Sequence, residues 1–495
     1  MLRTPRTTVI ALVVAALVAL AGCSATGNSP GRRSAPAPAH HGGTPRPGAG
    51  NETDAREDPQ STFALDVDTA SYGYARRLID DGRLPDRAYV RPEEFVNSLD
   101  LDYPEPAGDG FAIHADGARL PEFQRSEYRS DQRLLRIGLQ TRSEPAETRP
   151  DAALTFVVDV SGSMAEPGRL DLVRDALHTL VDQLRPTDAV AVVAFNDRAR
   201  VVRSMTPVAD ADALHGAIDD LRADGSTNLE SGLVTGYRVA RDGFRDGATN
   251  RVIILSDGLA NVGNTRADPI LRRVRDEAAK QIALLGVGVG SEFGDALMER
   301  LADRGDGFVV YVSERSQARE VFVRQLPATL SVRALDAKAQ VEFEPSAVRT
   351  YRLIGYDDRA LADDEFRDDR VDGGEVGPGH SVTALYVVRL TERAPASARI
   401  ARVHVRWLDP GSRGPAEAYE SISVADLDGA FDAAAPALRL CYAAAFFGEA
   451  LAGGRYAREA ALSDLARVAW RAYDESGDRE VRDLAETIDR ARQLD

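Results

Sequence analysis

Between residues 151 and 324, short apolar runs alternate with segments whose apolar side chains recur every three or four positions. The runs fall at 154–158, 189–195, 252–255, 282–289 and 308–312, with a more polar one at 200–203. Between them Leu170, Val173, Leu177, Leu180, Val181 and Leu184 are spaced for one face of a helix, as are Leu214, Ala217, Ile218 and Leu221. A strand without a polar face needs cover on both sides, so the alternation predicts an α/β domain, a mostly parallel sheet flanked by helices. Ligands of such sheets bind beyond the carboxyl ends of the strands. Asp159 and Asp257 fall at two of those ends.

Asp159, Ser161 and Ser163 present three oxygen-bearing side chains where the first buried run meets its loop. Thr227 stands in the glycine-containing loop 224–228, and Asp257 precedes a glycine just after the run at 252–255. Hydroxyls and carboxylates with neither thiol nor imidazole suit a hard divalent ion, magnesium first and manganese or calcium next, over zinc or copper. The constellation resembles the metal-ion-dependent adhesion site (MIDAS) of a von Willebrand factor type A (vWA) domain, in which an Asp-x-Ser-x-Ser loop is completed by a distant Thr and a distant Asp. All five positions match. The resemblance implies a Rossmann-like vWA domain at 151–325. It also implies that Ser161, Ser163 and Thr227 bind the ion directly, that Asp159 and Asp257 hold it directly or through water, and that one position stays open for a partner's carboxylate. The alternative for the same residues is a serine-rich turn in a domain of this fold whose site has decayed.

Arg3 and Arg6, an uncharged run at 7–22 and the sequence Leu20-Ala21-Gly22-Cys23 read as a signal peptide ending in a lipobox, with Cys23 as the lipidated residue. That places the chain at the cell membrane, anchored by lipid on the extracytoplasmic face. Residues 24–60 are rich in Pro, Gly, Ala and Ser and hold almost no large apolar side chain, so a flexible linker is expected, with a reach of roughly 35 Å. The only other cysteine, Cys441, lies in an Ala-rich helical pattern and reads as a small core residue. A net charge of -17 argues against nucleic acid as a partner.

Residues 61–110 read as an N-terminal region with one strand and two helices, and 111–150 as strands that pair with later ones. From 326 to 428 alternating strands predict an antiparallel β-rich domain, and 429–495 reads as three Ala-rich helices, expected near 430–452, 457–473 and 479–494. The stretches 61–72 and 351–386 resemble the regions flanking the type A domain in one subfamily of bacterial vWA lipoproteins. Asp66, Asp68, Thr69 and Ser71 superficially repeat the metal-loop pattern, with capping of the helix that follows as the plainer reading.

Other motifs carry less. Gly286, Gly288 and Gly290 mimic a dinucleotide fingerprint with the last glycine misplaced, and neither lysine, Lys280 or Lys338, is preceded by glycine as a phosphate loop requires. His178 and His215 fall off the apolar stripes of their helices and read as solvated. The acidic residues at 363–369 read as a solvated loop. The sequence therefore leads to a lipid-anchored binding protein, not an enzyme, that takes a protein ligand offering a carboxylate through magnesium and binds no nucleotide. A metal-stabilised envelope scaffold whose contacts come from the β-rich region is the second reading, and a metal-dependent hydrolase the third.

Overall fold

The computed structural model describes residues 51–65, 68–124, 131–144, 149–257, 282–289, 309–312, 332–369, 373–392 and 394–494, with single residues at 270, 272, 274, 276, 322 and 371. The signal segment, Cys23, the linker as far as residue 50, Asp66, Lys280 and Gly290 lie outside the described residues.

The chain enters through β1 (Thr53–Asp54), β2 (Gln60–Ala64), α1 (Ala70–Asp80), α2 (Pro92–Asn97), β3 (Phe111–Arg119) and β4 (Gln132–Thr141). Residues 51–60, which composition assigns to the flexible linker, are folded. Thr53 and Asp54 pair with Tyr351 and Thr350, and the buried Ala55 donates its N–H to the Arg349 carbonyl at 3.0 Å. Backbone pairing holds this segment, so its poverty in apolar side chains gives no warning of it.

The central domain runs β5 (Ala152–Asp159), α3 (Leu170–Gln183), β6 (Ala189–Phe195), β7 (Ala199–Pro207), α4 (Ala211–Asp219), α5 (Leu229–Asp242), β8 (Thr249–Ser256), β9 (Ile282–Val289) and β10 (Val309–Val312). The strand order is β10-β9-β8-β5-β6-β7, parallel throughout except for the antiparallel β6/β7 pair. Phe156 and Val158 face α3 and α4 with Val173, Leu177 and Leu214, while Val157 and Val193 face α5 with Leu233 and Tyr237. This two-sided burial is why β5 and β6 read as unbroken apolar runs. Gly236 lets α5 lie close on the sheet, since a Cβ there would come within 2.3 Å of Val157 Cγ2.

At the amino ends of β5 and β6 sits a fully buried carboxylate, Asp188. Arg149 grips it with two hydrogen bonds of 3.0 and 2.5 Å, and the backbone N–H groups of Ala152 and Arg185 add bonds of 2.8 and 2.7 Å. Burial alone would push the carboxyl up. The bonds from Arg149, Ala152 and Arg185 and the Arg149 charge outweigh it, holding Asp188 below the ordinary value of 3.8.

The chain continues through β11 (Ala334–Phe343), β12 (Val348–Leu353), β13 (Ala360–Leu361), β14 (Gly374–Val376), β15 (Ser381–Leu390), β16 (Arg399–Leu408), β17 (Pro415–Ser423), α6 (Pro436–Ala452), α7 (Leu462–Ser476) and α8 (Arg479–Leu494). Two antiparallel sheets form, β1-β12-β15-β4-β3 and β13-β2-β11-β16-β17. Leu135, Ile137 and Tyr386 of the first meet Phe63, Val341 and Val403 of the second in one core. On the reverse of the first sheet Leu134, Leu385 and Val387 pack with Phe95, Tyr442 and Leu465 of the helices. The segment 61–110 is thus not a separate module: β2 pairs with β11, and α1 and α2 join the layer formed by α6, α7 and α8. Cys441 is buried in α6, and burial pushes its thiol up to about 11. No helix among the described residues is long and apolar enough to cross a membrane.

Candidate metal centre

β5 delivers Asp159 at its last position, and Val160 N–H closes the turn on the Phe195 carbonyl at 2.8 Å. Asp159 Oδ1 accepts the Ser161 N–H at 2.8 Å, and Oδ2 accepts the hydroxyl of Ser256, the last residue of β8, at 2.6 Å. Ser161 Oγ lies 3.1 Å from Ser163 Oγ, which donates to Asp257 Oδ1 at 3.0 Å. Four of the five sequence-chosen side chains therefore form one hydrogen-bonded chain.

The fifth, Thr227, is buried in a loop sewn onto the same turn. Asp224 N–H bonds the Val160 carbonyl at 2.8 Å and Gly162 N–H bonds the Gly225 carbonyl at 2.9 Å. Gly225 takes φ +79°, and a Cβ there would come within 2.9 Å of Asp197 Oδ2. Asp197 and Asn196, at the tip between β6 and β7, hold the loop by accepting from Ser226 N–H at 3.1 Å and donating to the Asp224 carbonyl at 2.9 Å. Asn228 then caps α5 by accepting from Ser231 N–H at 3.0 Å.

The charges in the cluster are unevenly balanced. Arg169, itself buried, donates to Asp257 Oδ2 at 2.6 Å and to the Ser163 carbonyl at 3.2 Å, and pairs with Glu166 at 2.7 Å. Asp159 is fully buried and its hydrogen bonds come from neutral groups, the Ser256 and Ser161 hydroxyls and the Ser161 amide. Burial pushes its carboxyl up to about 6, against the bonds from Ser256 and Ser161, and the Asp257 charge adds to the rise.

This donor set fits a small hard cation. Oxygens that are neighbours around magnesium, at about 2.0–2.1 Å from the ion, stand roughly 2.9 Å apart, whereas calcium at about 2.3–2.6 Å spreads them to roughly 3.3–3.7 Å. The Ser161, Ser163 and Asp257 oxygens stand 3.1 and 3.0 Å apart as hydrogen-bonded pairs, close enough to converge on one ion. Ser163 is exposed while Asp159, Ser161, Thr227 and Asp257 are buried, so the cluster opens to solvent on the Ser163 side.

Sequence reasoning missed Arg169, Ser256, Asn196 and Asp197, which orient the five without belonging to the motif. The second pattern does not gather into a site among the described residues: Asp68 pairs with Arg359 at 3.0 Å, and Ser71 Oγ donates to the Tyr89 carbonyl at 2.9 Å. Thr69 occupies the cap position of α1 with no side-chain bond to the helix. The acidic stretch is only partly solvated. Asp363 accepts from Thr62 at 2.7 Å, Asp369 pairs with Arg406 at 2.6 Å, and the buried Lys338 donates to the Asp368 carbonyl at 2.7 Å.

Sheet order, loop geometry and sequence comparison converge on one class, and the chain carries a von Willebrand factor type A domain, whose family model matches residues 153–324. A second model, described as von Willebrand factor, matches 48–136, and one described as "Uncharacterized protein YfbK, C-terminal" matches 328–494. Among relatives, YfbK of Escherichia coli (strain K12) is 34% identical over 343 residues, covering 68% of this chain and 59% of YfbK, so the match spans less than two thirds of that protein's length. Inter-alpha-trypsin inhibitor heavy chain H3 of Homo sapiens is 29% identical over 174 residues, 33% of this chain and 19% of that one. A solved von Willebrand factor type A structure from Catenulispora acidiphila superposes with a TM-score of 0.47 at 17% identity, covering 75% of this chain and 89% of its own. Type A domains usually bind a divalent metal at a site of this kind.

Proposed function

We propose that this protein is a lipid-anchored, extracytoplasmic binding protein that captures a protein ligand through a divalent cation held by Asp159, Ser161, Ser163, Thr227 and Asp257. Magnesium is the ion favoured by a donor set of hydroxyls and carboxylates with no thiol or imidazole. One observation carries the reading: Asp159 is a fully buried carboxylate bonded to neutral donors, beside an exposed Ser163. Such a charge is costly to bury without a counter-ion. When bound, the ion supplies positive charge and an open coordination position. The chain's own residues aim the ligand oxygens: Ser256 and the Ser161 amide fix Asp159, and Arg169 turns Asp257 so that Oδ1 faces Ser163. A partner's Asp or Glu then completes the shell at the Ser163 side. Anchoring rests on Cys23 and the uncharged run before it.

Calorimetric titration of the purified chain with magnesium tests the metal site. One saturable equivalent is expected, abolished in Asp159→Ala, and capture of a ligand from envelope extract should then depend on magnesium and fail with chelator. Capture that is equal with and without chelator, and equal in Asp159→Ala, overturns ion bridging. Asp257→Ala separates out the scaffold reading, in which melting temperature falls and capture is unchanged.

A further inference from the structure

α3 and α4 each carry a histidine followed four residues later by an aspartate, His178 with Asp182 and His215 with Asp219. That spacing places each pair on one face of its helix. The helices pack through Leu177, Leu180 and Val181 against Leu214 and Ile218, and the four polar side chains line the rim of this seam. The histidines read as solvated from their helical positions, yet their rings meet edge to edge, 26° from parallel with centroids 4.9 Å apart, and are only 29% and 28% exposed. Each reaches across to the other helix's carboxylate: His178 Nε2 lies 3.3 Å from Asp219 Oδ1, and His215 Nε2 lies 3.3 Å from Asp182 Oδ1. The two Nδ1 atoms face each other at 2.7 Å.

A count of protons makes this arrangement informative. An imidazole nitrogen beside a carboxylate oxygen carries the proton, because its lone pair would be repelled. Both Nε2 atoms are therefore N–H groups, and in two neutral rings both Nδ1 atoms are left as bare lone pairs pointed at one another. That contact is repulsive unless a cation stands between them. The outer half of the arrangement, a carboxylate on the far nitrogen of each ring, is the one that orients metal-binding histidines.

We propose that His178 and His215 form a second cation site, distinct from the oxygen cluster at Asp159, which takes a borderline transition-metal ion such as zinc, nickel or copper(II) through the two Nδ1 atoms. Imidazole nitrogens select these ions over magnesium or calcium. Two nitrogens bound at about 2.0–2.1 Å in a tetrahedral shell stand roughly 3.3 Å apart with their lone pairs converging, so the rings must part by about 0.6 Å and also turn, which side-chain rotation at the seam's rim allows. Asp182 and Asp219 orient the rings and are not themselves ligands, in keeping with the lack of a preformed group of three ligating side chains among the described residues. The remaining positions face solvent. Arg174, 3.4 Å from Asp219 Oδ1, offsets part of the acidic charge there. Occupancy would clamp α3 to α4 across their seam.

The test is a zinc titration of the full chain by calorimetry with magnesium in excess, so that the oxygen cluster is already filled. The expected result is one saturable zinc equivalent that persists in Asp159→Ala, vanishes in His178→Ala and in His215→Ala, and weakens about tenfold or more in Asp219→Asn. A thermal melt without zinc checks that each variant folds. Copper(II) bound to the wild-type chain should give an electron paramagnetic resonance spectrum with hyperfine coupling to two imidazole nitrogens. Absence of saturable zinc binding in the wild type, binding unchanged in both histidine variants, or a copper spectrum with oxygen ligands alone overturns the proposal and leaves a proton as the only cation between the rings.

Discussion

Strands β5 and β6 run between two buried aspartates with opposite fates. Asp188, at their amino ends, and Asp159, at the carboxyl end of β5, are both fully buried. Asp188 has a bidentate guanidinium and two backbone amides, and its carboxyl is held below the ordinary range. Asp159 has neutral partners, the Ser256 and Ser161 hydroxyls and the Ser161 amide, and burial pushes its carboxyl up to about 6. Two solvent-inaccessible carboxylates thus shift in opposite directions, because Asp159 is the more deeply buried and Asp188 has a cationic partner. One end of the sheet gives its buried aspartate a cationic partner, whereas at the other Asp159 has neutral donors.

The largest expected effect comes from breaking the cation-paired end. Asp188→Ala leaves Arg149 buried without its partner and should lower unfolding free energy by about 3–5 kcal/mol in urea melts. A loss under about 1 kcal/mol would mean that the pair is not the lock the contrast requires. At the open end, Arg169→Met strips Asp257 of its counter-charge beside the exposed Ser163. A loss of about 2 kcal/mol is expected without metal, together with a magnesium-induced rise in melting temperature larger than wild type, as ion binding replaces the guanidinium. Equal rises in both proteins would separate Arg169 from the site.

Acid sharpens the comparison at a finer scale. Because the folded pKa of Asp188 is depressed, its contribution is fully present above the unfolded value near 3.8 and is lost as pH falls through the lower folded value. Wild type should therefore lose stability more steeply than Asp188→Asn below about pH 4, by on the order of 1 kcal/mol; parallel curves would deny the pairing its charge. The smallest expected effect is at Asp159. Removing an unbalanced buried charge, Asp159→Asn should raise metal-free stability by about 1 kcal/mol while cancelling the magnesium-induced rise. Destabilisation instead would show that Ser256 and the Ser161 amide suffice.

The contrast also explains what the sequence discloses. β5, β6, β8 and β9 are legible because strands buried on both faces leave unbroken apolar runs, and the two antiparallel sheets are legible from the alternation of Val403 and Val405 in β16 or Leu135, Ile137 and Leu139 in β4. The full length of β17, Pro415–Ser423, is not legible, since Glu417, Tyr419, Glu420 and Ser421 are exposed and leave no apolar pattern. α6 begins at Pro436, not near 430, because proline takes the first turn, where its missing N–H has no partner to lose. The spacing of Asp159, Ser161, Ser163, Thr227 and Asp257 pointed to one cluster because each follows a strand or opens a helix at the same edge. Arg169 and Asp188 left no such mark. Their roles depend on which side chains the fold brings opposite them, and the same holds for His178 and His215, whose helical positions define a face without saying what faces it.

β2 gives the N-terminal route into the molecule a mechanical meaning. It lies between β11 and β13, with Phe63 fully buried and residue pairs from Lys338 with Ala64 to Glu342 with Gln60. A chain held from its N-terminal side passes tension first into β1 and β2, hence into the sandwich, before any reaches the loops around Asp159. Drawn lengthwise, the paired residues of β2 share the load at once rather than yielding one by one. The N-terminal entry is thus a joint built for shear, which keeps a pull from that side from reaching the cluster at Asp159.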